Sequence, residues 1–289
     1  MTAPVKYPVL SLKLGLKKKL RCLHISDTHL LFTDGRDNEA KYKIAIRRYG
    51  EYTYSNRGRN LTYFLDALLY VQKNADLLLH TGDLIDFYSP ANLEAAERLF
   101  KLSGINYFIC AGNHEYTNYS GQHRETPEEK AQARNEVPKI FRNNINQSAK
   151  IIGGINFIAL ECTEHLFSAE SLAFFEREAA RDYPMVLLIH CPIYTPALAK
   201  FLYEKENQKR MFLAGCPEKF PWKDAKCVTT PDKPTTKFIE RIKQEPLLKL
   251  ILAGHVHGHE NFVEEVRPGL MQVTVGGGYY GCGQVIDFD

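Results

Sequence analysis

Five short polar blocks carry the chemistry available to this chain. They are Asp27-Thr28-His29, Gly82-Asp83-Leu84-Ile85-Asp86, Gly112-Asn113-His114-Glu115, His190, and Gly254-His255-Val256-His257. Asp27, His29, Asp83, Asn113, His190, His255 and His257 form a mixed nitrogen and oxygen donor set without a thiolate. Such a set suits Mn, Fe, Zn or similar divalent ions and does not resemble a Cys-rich structural zinc site. One catalytic metal needs about three or four protein ligands, so these donors are too many for one ion. Two adjacent metals bridged by a carboxylate fit the number. Such a pair, about 3.5–4 Å apart, clamps the attacking and leaving oxygens of an in-line displacement.

Each block alone has an ordinary reading. Asp27-Thr28-His29 can be a turn with an Asp cap, and Gly82-Asp83 is a common turn dipeptide. His190 follows four apolar residues, where a hydrogen-bonded core histidine is usual. Asp86 can be a charge at a helix start, since Ser89-Pro90 follows it. His24 and His80 lie in strands and read as structural, whereas His123 and His165 sit in polar surroundings and read as solvated. The ordered ensemble, not any one block, points to a metal site.

The elements that must position these groups are legible as apolar runs. Leu23-His24-Ile25, Leu77-Leu78-Leu79, Tyr107-Phe108-Ile109, Val186 to Ile189 and Leu248 to Leu252 each precede a block. A short apolar run reads as a buried strand, so the polar residues fall at strand carboxyl ends. Open α/β sheets place their chemistry there. Helices are expected between the strands, over Asn60–Lys73, Pro90–Leu102, a capping box at Thr126-Pro127-Glu128-Glu129, Ser168–Ala180 and Thr235–Gln244. Strand signals follow His257 at Asn261–Val263, Leu270–Val275 and Gln284–Phe288. The Gly276-Gly277-Gly278 stretch reads either as a backbone loop beside the site or as a glycine-rich hairpin.

The blocks together resemble the calcineurin-like metallophosphoesterase superfamily, whose pattern is Asp-x-His, Gly-Asp-x-x-Asp, Gly-Asn-His-Asp/Glu, His and Gly-His-x-His. The resemblance spans Asp27 to His257. It implies a four-layer α/β/β/α sandwich of two mixed sheets flanked by helices, with a dinuclear metal site at the strand carboxyl ends. By position, Asp27, His29 and His257 would bind the first metal, and Asn113, His190 and His255 the second. Asp83 would bridge them. His114 would protonate the leaving oxygen, oriented by Asp86, while Glu115 fixes the loop. The implied cofactors are two divalent ions and the implied reaction is hydrolysis of a phosphodiester or phosphomonoester. A non-catalytic scaffold of this fold would show eroded ligand positions, and none is eroded here.

Subfamily signals narrow the choice. Protein serine/threonine phosphatases carry Arg directly after the second Asp of Gly-Asp-x-x-Asp, where this chain has Phe87. Purple acid phosphatases use a metal-binding Tyr at the place of Asp86. Lipid A precursor pyrophosphatases have Arg in place of the His114 motif residue. What remains is similar to small phosphodiesterases and to DNA exonucleases of the repair type, with a small phosphodiester or nucleotide the leading substrate.

Composition sets further bounds. The chain has 289 residues, 44% of them hydrophobic, enough for one α/β domain spanning the whole length. A formal net charge of +3 gives no basic stripe, so nucleic acid is possible but not indicated by charge. Seven cysteines, an odd number without paired spacing, point to buried thiols in a reducing compartment. Met1–Leu16 lacks a secretory pattern and no apolar run is long enough for a membrane span, so a cytoplasmic protein is expected. Two segments, 31–59 and 212–231, are expected to line the substrate site. The first holds Arg47-Arg48-Tyr49 and Tyr52-Thr53-Tyr54 and the second the sole tryptophan, Trp222. Such aromatics and arginines can stack a base and hold a phosphate, or, more commonly, pack the loops onto the domain.

Overall fold

Alternate residues of each apolar run face different cores. In the run from Leu248 to Ala253, Leu250 and Leu252 point one way, while Leu248, Ile251 and Ala253 point the other. Val186 and Leu188 are likewise separated from Met185 and Leu187. This period of two, with apolar residues on both faces, is what a sheet covered on both sides requires.

The computed structural model describes residues 6–52, 59–119, 125–162 and 164–289. Thr53, Tyr54 and His123 lie outside the described residues. The strands are β1 Val9–Leu12, β2 Leu20–Ile25, β3 Leu77–His80, β4 Tyr107–Ile109, β5 Gln147–Ile152, β6 Ile155–Leu160, β7 Met185–Leu188, β8 Arg210–Met211, β9 Lys226–Cys227, β10 Leu248–Ala253, β11 Phe262–Arg267, β12 Leu270–Thr274 and β13 Gln284–Phe288. The helices are α1 Glu39–Gly50, α2 Asn60–Asn74, α3 Pro90–Ser103, α4 Pro127–Glu136, α5 Ala169–Ala179, α6 Pro196–Glu204 and α7 Lys233–Gln244.

One sheet has the order β1-β13-β2-β3-β4 and the other β11-β12-β10-β7-β6-β5. Both are mixed. In the first, β2, β3 and β4 run parallel and β13 runs antiparallel to β2. In the second, β6, β7, β10 and β12 are parallel, while the edge strands β5 and β11 are antiparallel to their neighbours. Cys22, Leu79 and Phe108 of the first sheet pack against Phe157, Val186 and Leu252 of the second. Helices α2 and α3 cover the outer face of the first sheet through Phe64, Leu68 and Phe100. Helices α5 and α7 cover the second through Phe175, Phe238 and Ile242. The four layers expected from the motif pattern are therefore present.

The start signals hold. Ser89 accepts from Asn92 N at the start of α3, and Ser168 from Ser171 N at the start of α5. Thr126 and Glu129 form the reciprocal capping box of α4. The segment 31–59 differs from expectation, because it contains α1 and not a bare loop. Its pattern misleads: Tyr42, Ile46 and Tyr49 share one helix stripe, yet that stripe is exposed and the buried residues are Lys41 and Ala45. Helix α6 and the β5–β6 hairpin also lie beyond the expected elements. The hairpin turns at Gly153-Gly154, both at positive φ, which is a strong hairpin signal in the sequence.

Candidate metal centre

The loop after each of β2, β3, β4, β7 and β10 delivers part of one site. Asp27, His29, Asp83, His255 and His257 all have left-handed backbones, with φ of 53°, 46°, 54°, 70° and 51°. That conformation costs a non-glycine residue about 1–3 kcal/mol and persists where surrounding structure enforces it. The enforcement is visible. Asp27 N donates to Gly82 O at 3.0 Å and His29 N to Asp83 O at 3.0 Å. His255 N donates to Asp27 Oδ2 at 2.7 Å and His114 N to Asp83 Oδ1 at 2.8 Å. Gly112 is required by proximity, because a Cβ there would collide with the Asp83 carboxylate.

Two donor clusters result. Ligand atoms of Asp27, His29, Asp83 and His257 lie within 4.8 Å of one another, as do those of Asp83, His190 and His255. Asp83 belongs to both. Three buried oxygens here, Asp27 Oδ1, Asp83 Oδ2 and Asn113 Oδ1, have no hydrogen-bond partner. Buried polar atoms are normally satisfied, so the orphaned Asp27 Oδ1 and Asp83 Oδ2, 3.9 and 3.8 Å from His29 Nε2, mark where a cation fits. Ring nitrogens crowd the same space: His257 Nε2 is 3.1 Å from Asp27 Oδ1, and His190 Nε2 is 3.2 Å from Asp83 Oδ2. The outer nitrogens are already committed. His29 Nδ1 bonds Asp86 Oδ1 at 2.9 Å and His190 Nδ1 bonds Thr81 O at 2.7 Å. Such outer bonds orient metal-binding imidazoles.

The electrostatics favour positive charge. Burial works against ionised carboxylates, but His257 holds Asp27 below the usual carboxylate range. His190 and His114 do the same for Asp83. Burial disfavours a charged imidazole, yet Asp83 and Asp27 push His190 up to about 10.

Asp86 is not a helix-start charge; Ser89 fills that role. Asp86 is fully buried and its carboxylate meets three groups. It accepts from His29 Nδ1, from Arg48 Nη2 at 2.6 Å and from Arg48 Nε, and lies 3.3 Å from His114 Nδ1. The His114 ring also bonds Asp86 O through Nδ1 at 2.7 Å. Burial pulls the His114 pKa down, but Asp83 and Asp86 outweigh it and hold it above the ordinary value. Glu115 accepts from Asp83 N at 2.9 Å, Leu84 N at 2.7 Å and Gly112 N at 2.7 Å, and so ties two of the loops together.

The sequence leaves Arg48 and Tyr52 open between substrate contact and packing of their segment onto the domain, and they take the packing role, bracing the site from behind. Arg48 grips Asp86 and Tyr52, and the Tyr52 ring stacks on His29 with centroids 4.7 Å apart. The glycine stretch takes the loop reading. Gly278 N donates to Ser26 O at 2.8 Å, and Tyr279 stands edge-on to His257. His165 is half-buried and bonded into the site, its Nε2 2.8 Å from His255 Nε2. His24 and His80 are structural as expected, bonding Thr81 and Thr28.

A cavity of about 550 Å³ opens beside the clusters, lined by Asn113, His114, Lys209, Arg210, Phe212 and His255 among others. Of the 212–231 segment, Phe212 reaches this wall, whereas Trp222 stacks on Tyr203 of α6. No helix among the described residues is long and apolar enough to cross a membrane.

The fold recurs in distant proteins. A dimetal phosphatase from Danio rerio superposes with a TM-score of 0.53 at 12% identity, covering 92% of this chain and 91% of that one. A purple acid phosphatase from yellow lupin (Lupinus luteus) seeds gives 0.52 at 15% identity, covering 94% of this chain and 45% of that one. No protein of curated function matches the sequence. At these identities the structural likeness speaks for the fold alone. The sequence itself matches the family described as Calcineurin-like phosphoesterase over residues 20–259, a span that takes in every polar block and the strands that precede them. This chain is therefore a phosphoric ester hydrolase that belongs to the calcineurin-like phosphoesterase family.

Proposed function

We propose that the enzyme hydrolyses a small phosphodiester or nucleotide with two divalent cations. Asp27, His29 and His257 would hold one cation and Asn113, His190 and His255 the other, with Asp83, common to both donor clusters, shared by them. The observation that carries this reading is a set of partnerless buried oxygens, those of Asp27 and Asp83 inside one donor cluster and that of Asn113 on a residue lining the same cavity as Asp83. The donor set is compatible with Mn, Fe or Zn. Such a pair of ions supplies a nucleophilic water at neutral pH and draws charge from the phosphoryl oxygens.

The chain's own residues do the rest. With Nδ1 held by Asp86 O, His114 has Nε2 left to protonate the leaving oxygen. Asp86, fixed by Arg48, keeps that ring from turning. The cavity volume of about 550 Å³ falls in the range of small-molecule sites. Lys209 and Arg210 put positive charge on its rim. All seven cysteines are free and most are buried, which supports a reducing, cytoplasmic setting.

The test compares bis-para-nitrophenyl phosphate, para-nitrophenyl phosphate and a single-stranded oligonucleotide, each with Mn, Fe or Zn. Diester hydrolysis without cleavage of the oligonucleotide is expected. Cleavage of the oligonucleotide would make the enzyme a nuclease, and monoester turnover alone would make it a phosphatase. Silence with every metal would overturn the catalytic reading of the site.

A further inference from the structure

We propose that His165 is a positioning residue for the second metal, acting through a hydrogen bond from His255. The inference rests on the metal-site reading above and adds a residue that lies outside the five polar blocks.

Proton placement carries the argument. His190 donates through Nδ1 to Thr81 O at 2.7 Å, so the neutral ring, the form that binds a cation, presents the Nε2 lone pair to the cluster. His255 Nδ1 lies 2.9 Å from that same Nε2. His255 therefore turns Nδ1 toward the ligand cluster and Nε2 away from it. To bind a cation through Nδ1, neutral His255 must carry its hydrogen on Nε2. The atom waiting there is His165 Nε2, at 2.8 Å. Two ring nitrogens at that distance must share one hydrogen. His165 Nε2 then accepts, and its own hydrogen sits on Nδ1, which is 3.2 Å from Thr229 Oγ1. With a cation taking the lone pairs of His190 Nε2 and His255 Nδ1, these contacts assign one tautomer to His190, His255 and His165, and His29, His190 and His255 each have a fixed outer partner.

Local structure holds His165 for this purpose. Its backbone is left-handed, with φ of 63°, and its N–H donates to Cys162 O at 2.9 Å. Its ring lies against Phe212, with centroids 5.8 Å apart. Phe212 in turn stands edge-on to His255. The arrangement leaves His255 little freedom to rotate away from the cluster. Cys191 offers a sulfur within 4.8 Å of donor nitrogens of both rings, so the same three residues also satisfy the distances of an independent ion site. Stoichiometry separates that arrangement from the one proposed.

The experiment is equilibrium Mn²⁺ binding to the full chain, read as stoichiometry and affinity by electron paramagnetic resonance of the free ion. Wild type, His165→Ala, His165→Gln and His255→Ala are compared, with circular dichroism verifying the fold of each. Two ions are expected in the wild type. His165→Ala should weaken one of them by about 10- to 100-fold and leave the other unchanged. His165→Gln, whose amide oxygen can accept the same hydrogen, should restore most of the loss. His255→Ala should remove that ion's tight binding. If His255→Ala weakens an ion but His165→Ala does not, the positioning role is wrong and the metal-site reading stands. If His255→Ala changes nothing, the metal-site reading itself falls. A third ion that disappears with His165→Ala would make His165 a direct ligand and overturn the proposal.

Discussion

Asp83→Asn is expected to abolish hydrolysis, lowering kcat/KM by about 10³-fold or more, and to deplete bound metal. Asp83 is the residue common to both donor clusters, so its loss reaches both cations. The amide keeps the shape but removes the negative charge that two buried cations need between them. If the amide oxygen keeps the bond from His114 N, which now donates to Asp83 Oδ1 at 2.8 Å, the amide NH2 is turned toward the cations, where it cannot serve as a ligand. A metal acting as Lewis acid is worth several kcal/mol, and about 1.4 kcal/mol is a factor of ten in rate. Elemental analysis beside steady-state kinetics decides the matter. A variant that keeps two ions and ordinary turnover would remove Asp83 from the bridging position.

His114→Ala tests a different role. Turnover should fall by about 10²- to 10⁴-fold while metal content stays unchanged, as for the loss of a general acid. The result is informative because the geometry allows a competing arrangement. Donor atoms of His29, Asp86 and His114 also lie within 4.8 Å of one another, close enough to surround an ion. Loss of metal in His114→Ala would favour that arrangement and cancel the leaving-group role. Unchanged metal with slow turnover would leave His114 as the acid. Its Nδ1 contact with Asp86 O and the nearby Asp86 carboxylate account for the ring's orientation.

Strand runs and their polar blocks were readable because they are local. Leu77–His80 is buried throughout and apolar up to His80, and the residues that matter follow it within a few positions. The braces were not readable, because they come from distant segments. Arg48 reaches Asp86 across 38 positions and His165 reaches His255 across 90. Nothing near either residue in the sequence marks its partner. Arg48 drew attention for its charge and aromatic neighbours, which fit a substrate contact as well as a buried ion pair. Helix α1 was obscured because its apolar stripe is the exposed one, while Lys41 is buried with Nζ bonded to Tyr88 O and Asn118 Oδ1. Periodicity assumes that apolar residues face inward, and α1 is a case where they do not.

The loops of the site come from both sheets. β2, β3 and β4 carry Asp27, His29, Asp83 and Asn113 from one, and β7 and β10 carry His190, His255 and His257 from the other. Apolar packing joins the sheets along their depth. At the carboxyl edge the proposed cations would act as rivets driven through both layers. By linkage, each ion at one hundred times its dissociation constant adds about 2.7 kcal/mol to the stability of the folded chain. A chelator would then lower the melting temperature as well as stop the reaction, and a melting curve unmoved by chelation would show that the sheets hold together without them. In that sense the catalytic ions would double as mechanical fasteners, and metal supply would govern how much of the enzyme survives as well as how fast it works.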